Sequence, residues 1–155
     1  MTSIKEGPKA PTFSGKNQMG ETISLEQFKG KKLILYFYPK DNTPGCTAEA
    51  CDLRDGYEDL LGKGFEVVGV SPDSEKSHQN FINKYSLPFH LIADTDKVIM
   101  KAYGAWGLKK MYGKEYEGVL RTTFIIDENG TIEKIFTKVD TKAHVKQILS
   151  ALEKK

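Results

Sequence analysis

The chain has 155 residues, 39% of them hydrophobic and 28% charged, with a net charge of +2. That length fits one domain spanning residues 1–155, large enough to bury a core without disulfide staples. The charge balance and the scattered lysine doublets form no basic patch for nucleic acid, and no apolar run reaches the length of a membrane span or a signal core, so a cytoplasmic location is expected.

Turn signals at Ser14-Gly15 and Met19-Gly20, flanked by short strand-like pieces, predict a small N-terminal hairpin. Residues 33–38, Leu-Ile-Leu-Tyr-Phe-Tyr, are continuously apolar and read as a buried central strand. Thr43-Pro44 then marks a helix start, with Thr43 as N-cap and Pro44 as the first helical residue. That helix is expected to run to about Leu61 and stop at Gly62 or Gly64. A second buried strand follows over 65–70, then a helix over 74–85 that Pro88 closes off, a short strand over 90–93 and a short helix over 96–103. Residues 104–120 read as a structured loop. Two strands, 121–126 and 131–136, flank the turn Asp127-Glu128-Asn129-Gly130, and Asp140 is expected to cap a last helix reaching Leu152. Early strands joined by helices imply parallel pairing, and the late hairpin adds antiparallel strands. The fold class is therefore α/β, a mixed sheet with helices on both faces and an N-terminal hairpin extension, which matches the thioredoxin-like plan.

The chemistry is concentrated just after the first buried strand. Cys46 and Cys51 are the two cysteines of the chain, five residues apart. In a reducing compartment such a pair points to catalysis or metal binding rather than to a structural bridge. With Thr43 as N-cap, Cys46 is the third helical residue, where unpaired amides and the helix dipole favour thiolate over thiol. A late strand opened by Arg121 is placed to return beside the first and bring a cation to the sulfur.

Pro39, Thr43 and Cys46 reproduce the pattern Pro-x3-Thr/Ser-x2-Cys of the peroxiredoxins. The context Gly45-Cys46-Thr47-x-Glu49-Ala50-Cys51, the run Arg121-Thr122-Thr123-Phe124 and the stretch 105–113 resemble the bacterioferritin comigratory protein (thioredoxin peroxidase Q) subfamily, across nearly the whole chain. The resemblance implies a peroxidase needing no metal, flavin or haem. Cys46 would attack the O–O bond and become a sulfenic acid. Thr43 would position the peroxide, and Arg121 would stabilise the thiolate and the charge on the leaving oxygen. Pro39 would shield the sulfur, the amides of Gly45 and Cys46 would hold peroxide oxygens, and Glu49 would orient Arg121. Cys51 would resolve the sulfenic acid, and thioredoxin would reduce the disulfide; a bridge within one chain needs no partner subunit, so a monomer is expected.

The spacing adds a condition. Residues five apart on a helix are roughly 8.6 Å apart in Cα and turned by about 140°, whereas a disulfide needs Cα atoms within about 7 Å. If Cys51 resolves, the first turns of the helix must unwind.

Plainer readings stand beside these. Cys51 fits a packed helix position, Arg121 an ordinary ion-pair partner, and Glu49 divides evenly between site partner and solvated helix face. Tyr103, Trp106 and Tyr112 suit packing better than a pocket lining. His78, His90 and His144 are too widely spaced for a metal site. A disulfide reductase would normally carry Cys-x-x-Cys, and a redox sensor would need the same reactive thiolate.

Overall fold

The computed structural model describes residues 5–153. Its elements are β1 (Ser14–Lys16), β2 (Thr22–Ser24), β3 (Lys32–Phe37), α1 (Pro44–Asp55), α2 (Tyr57–Gly62), β4 (Phe65–Ser71), α3 (Glu75–Tyr85), β5 (His90–Ala93), α4 (Val98–Ala102), β6 (Trp106–Met111), β7 (Lys114–Val119), β8 (Thr122–Ile126), β9 (Ile132–Phe136) and α5 (His144–Glu153). The central sheet has the order β5-β4-β3-β8-β9. β3, β4 and β5 pair in parallel, and β8 joins β3 and β9 antiparallel. This is the expected mixed sheet, with β3 at its centre.

Side chains alternate across β3 because successive Cβ atoms point to opposite faces. Ile34, Tyr36 and Tyr38 pack with Ala50 and Leu53 of α1, Leu60 of α2, Phe81 of α3 and Ile148 of α5. Leu33, Leu35 and Phe37 pack the other way, with Phe13, Ile23, Ile99 and Met100. Helices therefore cover both faces, α4 and the N-terminal hairpin sharing the second one.

Four details differ from the sequence reading. Ser14-Gly15 lies within β1, its backbone flush against Ile92, while the turn falls at the other expected signal, Met19-Gly20, where the Gly20 amide donates to the Asn17 carbonyl and Asn17 Oδ1 accepts from the amides of Met19 and Glu21. The long helix is broken at Gly56. The stretch 104–120 is an antiparallel hairpin, β6 against β7, turning on Tyr112 and Gly113, both at positive φ. α5 begins at His144, past Asp140, whose Oδ1 accepts from the Lys142 amide in the turn before it.

The break at Gly56 has a packing cause. A Cβ there would lie 2.9 Å from Val145 Cγ2 and 3.1 Å from its Cγ1, so α5 rests directly on this backbone. One turn earlier, Asp52 Oδ2 accepts from the Val145 amide at 2.8 Å and caps α5 from a different helix. We expect Gly56→Ala to destabilise the protein by about 1–3 kcal/mol, since stiff, β-branched Val145 must be displaced. The urea midpoint measures this; an unchanged midpoint would mean that α5 shifts without cost.

Candidate active site

β3 delivers the chain to the site and the segment before α1 turns it. Tyr38, buried, donates its hydroxyl to Asp41 Oδ1 at 2.6 Å. Asp41 Oδ2 also accepts from Ser77 Oγ at 2.7 Å and lies 2.7 Å from His78 Nδ1, while the Asp41 amide donates to Asp73 Oδ2 at 2.7 Å. His78 Nε2 is 2.9 Å from the Ile92 carbonyl, which can only accept, so that nitrogen carries a hydrogen. One carboxylate oxygen each of Asp41 and Asp73 and a ring nitrogen of His78 lie within 4.8 Å of one another, a cluster that sequence spacing does not reveal. Each is engaged in these hydrogen bonds. Asn42, at φ 61°, adds a tether by accepting from Tyr85 and Lys84 of α3. The segment between β3 and α1 is thereby held to α3.

α1 starts as expected, with Thr43 extended and Pro44 first. Thr43 Oγ1 does not cap, however; it donates to the Lys40 carbonyl at 2.8 Å. The first amide to bond back within the helix is that of Thr47, to Thr43 O, leaving the amides of Gly45 and Cys46 ahead of it at the positive end of the helix. Cys46 is buried, Cys51 is half-buried, and both are free thiols. Both lie within the uninterrupted α1, so the five-residue helical separation applies to them. Pro39 is half-buried in the segment that follows β3.

Antiparallel register brings the cation. Phe37 pairs with Thr122 and Tyr36 with Thr123, which sets Arg121, just before β8, beside the end of β3. Arg121 Nη2 donates to Cys46 Sγ at 3.2 Å, and Nη1 donates to Glu49 Oε1 at 2.6 Å. One planar guanidinium thus spans the sulfur and the carboxylate. Gly45 lies under it, since a Cβ there would sit 3.3 Å from Nη2. Glu49 is not on a solvated face. It is completely buried, and desolvation lifts its carboxyl to about 7 against the opposing pull of Arg121.

Behind Glu49 lies a side chain that the sequence did not single out for this site. His144 Nε2 is 3.7 Å from Glu49 Oε2 and 2.8 Å from Thr123 Oγ1, and Glu49 Oε2 has no hydrogen-bond partner among the described residues. Burial, foremost, lowers the His144 pKa. Tyr36 is buried beside the same charges. Desolvation, and after it Glu49 and Cys46, hold its phenol well above the usual range and therefore neutral. Tyr103 is core, its hydroxyl on the Pro11 carbonyl, whereas Tyr112 is exposed at the hairpin tip.

Pro39, Thr43, Gly45, Cys46, Glu49 and Cys51 thus belong to one strand-to-helix unit, and Arg121 meets it from β8. Comparison with known proteins supplies the family. Residues 7–135 match the AhpC/TSA family. Peroxiredoxin Bcp of Bacillus subtilis is 46% identical over 151 residues, 97% of this chain and 96% of that one. A mutant of PrxQ from Xylella fastidiosa superposes with a TM-score of 0.90 at 29% identity, over 97% of this chain and 96% of that one. Peroxiredoxin Q of Xanthomonas campestris gives 0.85 at 35% identity, over 91% and 89%. A thiol under a guanidinium at a helix start, on this fold and with these relatives, places the chain in the AhpC/TSA family as a peroxiredoxin of the Bcp/PrxQ kind, a peroxidase among the oxidoreductases.

Proposed function

We propose that Cys46 is the sulfur that meets peroxide, and that Cys51 completes the cycle within the same chain. The observation that carries this reading is the 3.2 Å contact between Arg121 Nη2 and Cys46 Sγ at the positive end of α1. The Cys46 thiolate attacks one peroxide oxygen, the O–O bond breaks, sulfur is oxidised to the sulfenic acid, and the other oxygen leaves as hydroxide or alkoxide and takes a proton. The guanidinium and the amides of Gly45 and Cys46 face the charge that moves to the leaving oxygen, with Thr43 and Pro39 shaping the approach. Glu49 holds the guanidinium in place. The Cys51 thiol then displaces water from the sulfenic acid, and an external dithiol, for which thioredoxin is the proposed reductant, returns both cysteines to thiols by exchange. Hydrogen peroxide and organic hydroperoxides are the proposed substrates. The alkyl peroxide reduction activity named for the Xanthomonas campestris bacterioferritin comigratory protein, 35% identical, supports the second class. The bridge needs no second subunit, so a monomer suffices.

Because α1 keeps the two sulfurs apart, the disulfide requires its first turns to open. Amide exchange of residues 43–52 should be faster in the oxidised than in the reduced protein; equal protection would rule out unwinding. Peroxide-dependent NADPH consumption with thioredoxin and its reductase tests the cycle. Sustained turnover is expected, and a single stoichiometric oxidation followed by arrest would favour a sensor.

A further inference from the structure

We propose that His144 is a positioning residue of the peroxide site, sharing one proton with Glu49 so that the charge of Arg121 stays committed to Cys46. The inference deepens the reading of Cys46 as the reacting thiolate and rests on it.

Hydrogen-bond polarity around the ring carries the argument. Gln147 Nε2 donates to the Lys138 carbonyl at 2.8 Å, and Gln147 Oε1 accepts from the Asp140 amide at 2.9 Å. The amide is therefore oriented, and the His144 Nδ1 that lies 2.9 Å from Oε1 must carry a hydrogen. Whatever proton the ring gains or lacks is then at Nε2. That atom faces Thr123 Oγ1, a hydroxyl able to donate or accept, and the unpartnered Glu49 Oε2. With no proton between them, a buried carboxylate oxygen confronts a ring lone pair and neither has a donor beyond the one Thr123 hydroxyl. With one proton, two arrangements are balanced: Glu49 Oε2–H against a neutral ring, or a carboxylate against an imidazolium whose Nε2–H donates to Thr123. The hydroxyl of Thr123 rotates between them, and no proton is gained or lost.

Either arrangement makes the Glu49–His144 unit neutral overall. Arg121 then has one full anion to serve, the Cys46 thiolate. If the proton is lost, Glu49 becomes a second anion on the same guanidinium and competes with the sulfur. The remaining groups around the ring are Asp52 of α1, Asp140 before α5 and Arg121, with Phe136 edge-on at 5.9 Å between centroids. Asp52 and Asp140 favour the charged ring, Arg121 opposes it, and burial, the largest influence, opposes it as well. The proton therefore rests mainly on Glu49, whose carboxyl burial lifts to about 7.

The test uses full-length protein with Cys51→Ser, so that Cys46 is the thiolate observed by ultraviolet absorbance. His144→Asn keeps a donor toward Gln147 and removes the Nε2 position. It is expected to move the Cys46 thiolate titration upward by about half to one unit, a three- to ten-fold loss of thiolate on the rising limb. In a Glu49→Gln background the same change should have no further effect, because the shared proton is gone. His144→Gln should behave like His144→Asn. A role in packing alone would lower the melting temperature and leave the titration in place. Should the variants not fold, nitrogen-15 spectra of the parent decide. A neutral ring protonated at Nδ1 whose signals follow the Cys46 titration is expected; a neutral ring protonated at Nε2, or one blind to Cys46, would overturn the proposal. So would a shift smaller than about 0.2 unit, or equal shifts with and without Glu49→Gln. The titration consumes no peroxide, so it fails or succeeds independently of the peroxidase cycle.

Discussion

Cys46→Ser should bring peroxide consumption to the rate of the blank while leaving the fold intact. Serine is nearly isosteric with cysteine, and the buried position between Arg121 and the start of α1 accommodates either atom. The hydroxyl stays protonated where a thiol ionises, and oxygen has no accessible sulfenic state, so both nucleophile and electron donor are lost. Cys51→Ser should behave differently. It should consume about one peroxide per chain and stop, with a sulfenic acid trapped at Cys46 that mass spectrometry can read as a thiol-selective adduct. Addition of thioredoxin should not restore turnover at the parent's rate. Sustained activity in Cys46→Ser would remove Cys46 from the chemistry, and sustained thioredoxin-driven activity in Cys51→Ser would assign resolution to an outside thiol.

The second large effect belongs to Arg121. Arg121→Ala removes the donor at 3.2 Å from Sγ and the one at 2.6 Å from Glu49 Oε1. The peroxide step should slow by about 100- to 1,000-fold, the magnitude typical of losing one donor aimed at developing charge. Stability should fall as well, by about 1–3 kcal/mol, because the buried Glu49 Oε1 loses its donor. The two losses can be separated. Adding Glu49→Gln removes the ionisable carboxyl left without its donor and should return part of the stability without returning the rate. Arg121→Lys keeps the charge but cannot span sulfur and carboxylate at once, and should fall between parent and alanine variant. Rapid-mixing measurement of peroxide loss, paired with thermal melts, reads both effects. An Arg121→Ala protein within about three-fold of the parent rate would dismiss the guanidinium from the step.

The parts legible in the sequence were those under strong local rules. Residues 33–38 are apolar without interruption because β3 is covered on both faces, and Thr43-Pro44 marks the start of α1 through backbone geometry alone. The hairpin of β6 and β7 was not legible, since it stands apart from the central sheet and buries too little to impose an alternating pattern. Its one cue was Tyr112-Gly113, a two-residue turn whose tyrosine adopts φ 53° that asparagine or glycine would normally occupy. The break at Gly56 depends on Val145, nearly ninety residues away, and no local pattern encodes that approach. Arg121 is legible as the residue that opens a late strand and through its likeness to a family motif. Its neighbours in space, His144 and Thr123, share no spacing with the cysteines and meet them only when β8 and α5 close on α1. Likewise Asp41 and His78 read as unrelated residues until α3 packs on the segment before α1.

Asp52, which caps α5, has a mechanical meaning for its neighbour. It follows Cys51 directly, and with Gly56 beneath Val145 it pins the second half of α1 to a separate helix. A helix pinned at one end melts from the other. In the proposed cycle Cys51 would then be the fixed jaw of the clamp and Cys46 the travelling one, leaving its guanidinium to reach a sulfur that waits in place. Recovery in that cycle would run in reverse: the pinned half is a ready-made template on which the first turns would rewind, so no helix need be nucleated anew.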